Sequence, residues 1–181
     1  MVRQDNSPKF AVLLKVLSLL LWLGAASPAA AQLDCGGNAE LALLDFWVGE
    51  WRVENDSGEA LGKNTIFRML NGCLIEERWQ GVEGGVGVSM FYVGPASGKL
   101  QQVWVSGQAL SPGGTKEKER VDTDVADEVQ FVGSYPAGNQ TILDRTTLSK
   151  LANGDILQEI EVSTDAGATW ESAFRGIYKR R

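Results

Sequence analysis

Turn signals recur at short intervals along this chain of 181 residues, and they restrict its fold more than any other feature. The runs between them have the length of strands and are rich in Val, Ile, Thr, Phe, Tyr and Trp, which favour strands. The turn clusters of Gly, Asn, Asp and Pro lie near residues 56–58, 71–72, 81–85, 94–98, 112–114, 136–139, 153–155 and 165–167. We predict strands near residues 48–55, 61–70, 74–80, 86–93, 99–107, 127–134, 140–150, 155–163 and 169–179.

A tenth, weaker strand is predicted near residues 118–124, and only residues 38–47 have a helical pattern, with Asn38 as the N-cap. Nine or ten antiparallel strands with short connections predict an all-β, up-and-down barrel, because closure removes the unpaired edges of the sheet. An open sandwich is the alternative. A barrel of this size has either a packed interior or a cavity for one small ligand.

The first 31 residues have the pattern of a secretory signal peptide. A basic start is followed by an apolar run over residues 16–26 and by small residues that end at Ala31. The apolar run has 11 residues, whereas a membrane-spanning helix needs roughly 20. We therefore predict cleavage after Ala31, one barrel domain over residues 32–181, no stable membrane insertion after cleavage, and a secreted or periplasmic location.

Both cysteines, Cys35 and Cys73, lie in the part of the chain that is predicted to be exported. An even number of cysteines in an oxidising compartment predicts a disulfide, which here would tie the start of the exported chain to the body of the domain. Two free thiols are the alternative.

The chain contains no His and has a net charge of −6. The lack of His excludes Ser-His-Asp and Cys-His catalysis, His-ligated haem and imidazole-based zinc sites. A net negative charge argues against nucleic acid as a partner, because phosphates require a basic surface. We expect neither a metal site nor a cofactor.

Alternation of apolar and polar residues assigns the inner face of several strands. Glu77 alternates with the apolar residues Ile75 and Trp79, and Gln158 lies in the same way between Ile156 and Ile160. Gln102 shares a face with Trp104 and Ser106, but the other face of that strand is also apolar, so alternation leaves its inner face open. The apolar inner sets are Trp51 and Val53, then Val129 and Phe131, then Ile156, Ile160 and Val162, and finally Trp170, Phe174 and Tyr178.

A buried carboxylate must be protonated, paired or hydrogen-bonded, and Arg145 is the expected partner of Glu77. A cavity with aromatic walls and a few convergent polar groups is typical of a small-molecule pocket. A purely structural polar network, or Glu77 in water at the barrel mouth, is the alternative. The predicted ligand-binding residues are Glu77, Trp79, Gln102, Trp104, Phe131, Arg145, Gln158, Phe174 and Tyr178.

The segment Gly49-Glu50-Trp51 resembles the Gly-x-Trp signature at the start of lipocalins and their calycin relatives. This resemblance implies that Trp51 closes the barrel floor and packs near an Arg late in the last strand. Arg175, Arg180 and Arg181 are available for that role.

Residues 163–170 resemble the Asp-box of sialidases and other propellers. One copy is expected to act only as a stabilised hairpin turn, in which Asp165 accepts backbone N–H groups and Gly167 supplies a permissive φ. Trp170 is expected to plug the core.

Residues 45–51, 71–79, 102–105 and 163–170 together resemble a family of mostly bacterial proteins catalogued as a domain of unknown function. The resemblance spans nearly the whole exported chain and implies a calycin-like barrel, without an established activity. The barrel is also similar to nitrobindin-type haem carriers. Those carriers rely on an axial His that this chain lacks, so haem binding of that kind is not expected.

The sequence therefore favours a secreted or periplasmic protein that holds a small apolar or aromatic molecule inside its barrel. One alternative is an enzyme on the same scaffold that uses Glu77 for acid–base chemistry. Another is an interaction module with a solidly packed barrel. Binding is favoured over catalysis because no nucleophile–base pair is evident.

Overall fold

The structure, a computed structural model, describes residues 34–181; the predicted signal peptide and its cleavage site lie outside the described residues. The ten strands are β1 (Gly49–Glu54), β2 (Ala60–Met69), β3 (Leu74–Gly81), β4 (Val86–Val93), β5 (Leu100–Ser106), β6 (Thr115–Val121), β7 (Glu128–Ala137), β8 (Gln140–Lys150), β9 (Ile156–Ser163) and β10 (Glu171–Arg180). The predicted all-β class is confirmed. The weak tenth strand exists as β6, three residues earlier in the chain than predicted.

The sheet is a closed antiparallel barrel in which each strand pairs with its neighbours in the chain. Closure occurs between the first and last strands, where Trp51 lies opposite Arg180 and Val53 lies opposite Tyr178. The predicted up-and-down barrel is therefore confirmed. The open sandwich is wrong, because the pairing of β1 with β10 leaves no free edge in the ten-stranded sheet that the structure describes.

The predicted helix over residues 38–47 is split into two short pieces. The α-helix α1 (Ala39–Ala42) begins after Asn38, whose side chain accepts a hydrogen bond from the backbone N–H of Leu41 at 3.1 Å. A 3₁₀-helix follows over Asp45–Trp47. Asn38 is thus confirmed as the N-cap, whereas the helix itself is shorter than predicted.

The N-terminal segment covers one end of the barrel. Arg120, at the end of β6, donates hydrogen bonds to both carboxylate oxygens of Glu40 in α1 at 2.8 Å. Arg68 of β2 donates to Asp45, and a disulfide joins Cys35 to Cys73 as predicted. These links hold the buried side chains of the segment against the apolar core at this end, which includes Leu41, Leu44, Trp47, Ile75, Phe91 and Leu100.

Trp51 has the surroundings that the Gly-x-Trp resemblance implies. Its indole N–H donates to the carbonyl of Trp47 at 2.8 Å, and the guanidinium of Arg180 lies over its ring, 4.4 Å from the centroid. A Cβ at Gly49 would lie 2.5 Å from Nη1 of Arg180, so glycine at this position is what admits the guanidinium. Arg180 is therefore the late arginine, rather than Arg175 or Arg181.

The prediction that Trp170 plugs the core is wrong, because a bulge lies between it and Phe174. Ser172 pairs with Glu161, but Phe174 pairs with Ile160, so Ala173 is an extra residue in β10. One extra residue reverses the faces of all residues before it. Trp170 consequently lies on the outer side of the barrel, where Cζ of Arg145 is 4.1 Å from the centroid of its ring.

Candidate functional site

A cavity of about 180 Å³ lies inside the barrel, toward the end opposite α1. Glu40 of α1 binds the beginning of β5 and the end of β6, whereas Trp104 and Lys116 lie near the other ends of these strands. The residues that line the cavity are Glu77, Trp79, Gln102, Trp104, Lys116, Lys118, Thr146, Gln158, Ile160, Phe174 and Tyr178. The barrel is therefore not packed solid.

Seven of the nine residues predicted for a ligand site line this cavity: Glu77, Trp79, Gln102, Trp104, Gln158, Phe174 and Tyr178. Glu77, Trp79, Gln158, Phe174 and Tyr178 lie on the strand faces that period-two alternation assigned to the interior, whereas alternation left the face of Gln102 and Trp104 open. The inner-face assignment of Glu77 is confirmed, since its side chain is only 3% exposed.

Arg145 does not lie in the cavity, and the expected pair with Glu77 is wrong. Asp144 and Thr146 are the inward residues of this part of β8, so Arg145 between them points outward. There it forms an ion pair with Glu161 of β9, with 2.7 Å between Nη2 and Oε2. The sequence of β8 lacks clean alternation, which is why its inward phase was not recognised.

Phe131 points inward but lies below the cavity rather than in its wall. It pairs with Arg120, which is held at the covered end of the barrel, and its ring contacts Phe91 edge to face at 5.4 Å. Phe131 thus belongs to the apolar core and contributes to stability, not to the lining.

Glu77 is held by neutral hydrogen-bonding groups. The amide nitrogen of Asn64 donates to its carboxyl at 2.7 Å, and Ser89 forms a further hydrogen bond with it. Burial raises the pKa of Glu77, and these hydrogen bonds and the more distant charge of Lys118 oppose the rise without cancelling it. The carboxyl group therefore favours its protonated form more than an exposed glutamate does.

A second chain of hydrogen bonds connects Glu77 to the opposite wall. Asn64 also donates to the hydroxyl oxygen of Tyr178 at 3.1 Å, and Tyr178 donates to Oε1 of Gln158 at 2.5 Å. Burial raises the pKa of Tyr178 well above 10, so its hydroxyl stays a neutral donor. These bonds fix the polar side of the cavity in one arrangement.

A buried charge cluster forms the third part of the site, and sequence reasoning missed it. The carboxylate of Asp144 forms ion pairs with both Lys116 and Lys118 of β6. Lys118 also donates to the hydroxyl of Thr146 at 2.5 Å. Gly133 of β7 lies between Lys118 and Asp144, and a Cβ there would come within 2.9 Å of Cγ of Lys118. Glycine thus lets the lysine cross β7 to reach its partner.

Lys118 is 4% exposed, and burial lowers its pKa from 10.5 to about 8 although Asp144 opposes this effect. The ammonium group therefore remains mostly charged at neutral pH. Lys116, Lys118 and Asp144 together carry a formal charge of +1.

Aromatic rings form the outer part of the cavity wall. Trp79 and Phe174 contact each other edge to face at 5.7 Å, and Trp104 lies over Gly87 of β4, where no Cβ interferes. Trp79 and Trp104 also line a wider cleft of about 570 Å³ between the β3–β4 turn and the segment after β5. The two indoles thus stand between the internal cavity and the surface cleft.

The site thus combines buried polar groups with an aromatic wall. Among residues 34–181, no group of Cys, Asp or Glu side chains is arranged to hold a metal ion. Within the same described range, no helix is long and apolar enough to cross a membrane.

The closed antiparallel barrel of ten strands is compatible with a calycin-like barrel, as the Gly-x-Trp resemblance implies. Comparison of the chain with known protein families and with curated proteins finds no match. The likenesses to the family of unknown function and to nitrobindin-type barrels therefore stay predictions. Such a barrel with an internal cavity can accommodate a small ligand.

Proposed function

We propose that this chain is an exported binding protein that holds a small apolar or aromatic molecule inside its barrel. The observation that carries the proposal is the cavity of about 180 Å³, which joins an aromatic wall to a set of buried, ordered polar groups. For comparison, an apolar cavity of about 150 Å³ engineered in another protein binds benzene. The cavity thus suits a ligand with one aromatic ring and few substituents.

Export is supported by the signal-peptide pattern of the first 31 residues and by the Cys35–Cys73 disulfide, which suits an oxidising compartment. We further propose a secreted or periplasmic location, no nucleic-acid partner and no stable membrane insertion of the mature chain. The net charge of −6 supports the proposal that nucleic acid is not a partner.

The proposal is tested by native mass spectrometry of the protein purified gently from its own compartment, followed by titration with toluene. We expect a retained small molecule, and quenching of tryptophan fluorescence by toluene, because Trp79 and Trp104 line the cavity. The variant Ile160→Trp fills the cavity and should abolish both signals. Leu157→Phe, on the outer face of the same strand, should preserve them. Identical behaviour of the unaltered chain and Ile160→Trp would show that ligands do not bind in the barrel.

An enzyme that uses Glu77 as an acid–base group is a second candidate, and one observation favours it. The Glu77 carboxyl lines the cavity and burial raises its pKa, as is common for general acids. If retained molecules are converted by the purified protein, Glu77→Gln should stop the conversion while preserving binding. Conversion that survives this substitution would exclude the role.

A further inference from the structure

The exposed apolar residues of this protein are concentrated on one side of the barrel. Ten large apolar side chains are exposed among the described residues, and seven of them lie on β4, on β5 or in the connections that adjoin these strands. The seven are Val82, Val86, Val88, Met90, Tyr92, Val105 and Leu110. Single apolar residues scattered over a surface need no explanation, whereas a contiguous patch indicates an interaction surface.

Strand β4 lacks the polar outer face that an antiparallel strand beside solvent commonly has. Its outward residues are all apolar and are 38–52% exposed. Val88 pairs with Val105 of β5 and Met90 pairs with Val103, so the apolar residues of the two strands form one continuous surface. This surface is named the β4–β5 patch, and its six residues are Val86, Val88, Met90, Tyr92, Val103 and Val105.

Other strands of the same barrel carry charged residues on their outer faces. Arg52 of β1, Arg145 of β8 and Lys179 of β10 each form an ion pair there. The apolar outer face is therefore local to β4 and β5 and is not a general property of the barrel. A sheet face of this kind is typical of a sheet that packs against a second sheet.

Charges of opposite sign border the two long sides of the β4–β5 patch. On the β3 side, Arg78 pairs in register with Val88, and its side chain is 59% exposed although Nε forms an ion pair with Glu76. On the β6 side, Glu117 is exposed and pairs in register with Val103. A two-fold axis parallel to the strands places the β3 border of one copy over the β6 border of the other. The patch is thus complementary to itself.

We propose that two copies of this chain associate through the β4–β5 patch, face to face about a two-fold axis parallel to these strands. In this arrangement β4 of each copy lies over β5 of the other, so Val88 meets Val105 of the second copy. Arg78 then lies within one residue row of Glu117 of the second copy, a separation that long side chains span. The interface goes beyond the proposed binding function and does not depend on it.

The size of this face determines the expected affinity. Neighbouring strands lie about 4.8 Å apart and successive outward residues about 6.7 Å apart, so the face over β3–β6 covers roughly 500 Å² in each copy. Association then buries roughly 1,000 Å² in total, which is the lower limit for a specific interface. We therefore expect a reversible dimer with a dissociation constant on the order of 10 µM.

A membrane surface is a less suitable occupant of the patch. The outward residues that border it include Glu76, Glu117 and Glu119 but only one basic residue, Arg78. Interfacial binding to membranes is strengthened by basic residues, because many lipid headgroups are anionic. A second copy supplies both an apolar face of the same shape and a partner for each charged border.

The test is sedimentation velocity of the full exported chain at about 2 µM and about 200 µM, on either side of the expected dissociation constant. We expect mainly monomer at the lower concentration and mainly dimer at the higher one. No larger species should form, because a two-fold interface closes on itself. A chain that stays monomeric at the higher concentration overturns the inference, and its flotation with phosphatidylethanolamine–phosphatidylglycerol vesicles would assign the patch to a membrane instead.

A variant pair locates the interface. Val88→Glu puts a carboxylate in the middle of the patch and should raise the dissociation constant at least roughly tenfold, because each copy would bury a charge without a partner. Val125→Glu is the matched control, since Val125 is an exposed valine in the connection between β6 and β7, outside the patch. It should dimerise like the unaltered chain. Equal dimerisation of Val88→Glu and the unaltered chain would overturn the assignment of the surface.

A charge exchange tests the orientation of the two copies. Arg78→Glu and Glu117→Arg should each weaken the dimer by about threefold, because each places like charges across the interface. The double variant should regain the affinity of the unaltered chain. A double variant no tighter than the single variants would overturn the arrangement in which β3 of one copy faces β6 of the other. This exchange also tests the proposal if Val88→Glu does not fold.

Discussion

Lys118 allows a quantitative test of the buried charge cluster through the pH dependence of stability. In the unfolded chain a lysine holds its proton up to about pH 10.5, whereas burial lowers the pKa of Lys118 in the folded barrel to about 8. Between these two values the unfolded state binds more protons than the folded state, so stability rises with pH. The stabilising contribution is fully present above pH 10.5 and is lost as the pH falls through 8.

The size of the effect follows from the difference between the two pKa values. The gap between 10.5 and about 8 corresponds to about 3 kcal/mol of unfolding free energy. Lys118 is almost completely buried, so solvent does not screen this contribution appreciably. The magnitude is large relative to the total stability of a domain, which is typically about 5–15 kcal/mol.

The experiment compares the unaltered chain with Lys118→Met by urea denaturation at pH 7 and pH 10.5. Methionine keeps the apolar stem and removes the titrating group, and Asp144 retains Lys116 as its counterion. The stability of the unaltered chain relative to the variant should rise by about 3 kcal/mol between the two pH values. Titration of other groups, including Tyr178, occurs in both proteins and largely cancels in the comparison.

Lys99→Met is the control, because Lys99 forms an ion pair with Asp122 on the surface. Its effect on stability should stay within about 0.5 kcal/mol at both pH values. A difference between the unaltered chain and Lys118→Met that does not change with pH would refute the claim that the ammonium group is desolvated. A difference that falls with pH would mean that the ion pair with Asp144 outweighs burial.

Three further predictions concern the rest of the molecule. Burial raises the pKa of Glu77, so the contribution of this residue to stability is present below about pH 4.5 and is lost as the pH rises through its pKa in the folded state. Glu77→Gln should therefore gain stability relative to the unaltered chain between about pH 4.5 and about pH 8. A relative loss of stability, measured by urea denaturation, would contradict this. Thiol titration of the denatured, unreduced protein should find no free thiol, because a disulfide joins Cys35 to Cys73. Reduction of this disulfide should lower the unfolding free energy by about 2–5 kcal/mol. Two titratable thiols in natively isolated protein would contradict the disulfide. N-terminal sequencing of the exported protein should begin at Gln32, and retention of Met1 on membrane-bound material would show that the signal segment is not cleaved.

The barrel itself was predictable from the sequence because turn chemistry and alternation are local signals. Strand β4 was predicted with the bounds that it has, and the other clearly apolar strands agree within a few residues. Alternation also placed Glu77 and Gln158 inside, since each lies between two apolar residues of one face. A period of two requires no knowledge of neighbouring strands.

The errors arose where a strand departs from a simple period. The extra residue Ala173 reverses the faces of β10 before Phe174, and its position depends on the pairing with β9 rather than on local composition. In β8 the inward residues include Asp144 and Thr146, so polarity does not distinguish the two faces. The pairing of Arg145 with Glu77 failed for this reason.

The basic residues of β6 carry the signal for the part of the site that was missed. Residues 116–120 read Lys-Glu-Lys-Glu-Arg, so a period of two puts the three basic residues on one face and the two acidic residues on the other. An inner face with three cations is stable only if neighbouring elements supply anions, because a buried charge without a partner costs several kcal/mol. Asp144 pairs with both lysines, and Glu40 pairs with Arg120. Alternating charge in a barrel strand therefore predicts a polar interior, whereas the sign of the charge inside depends on carboxylates that only the fold brings within reach.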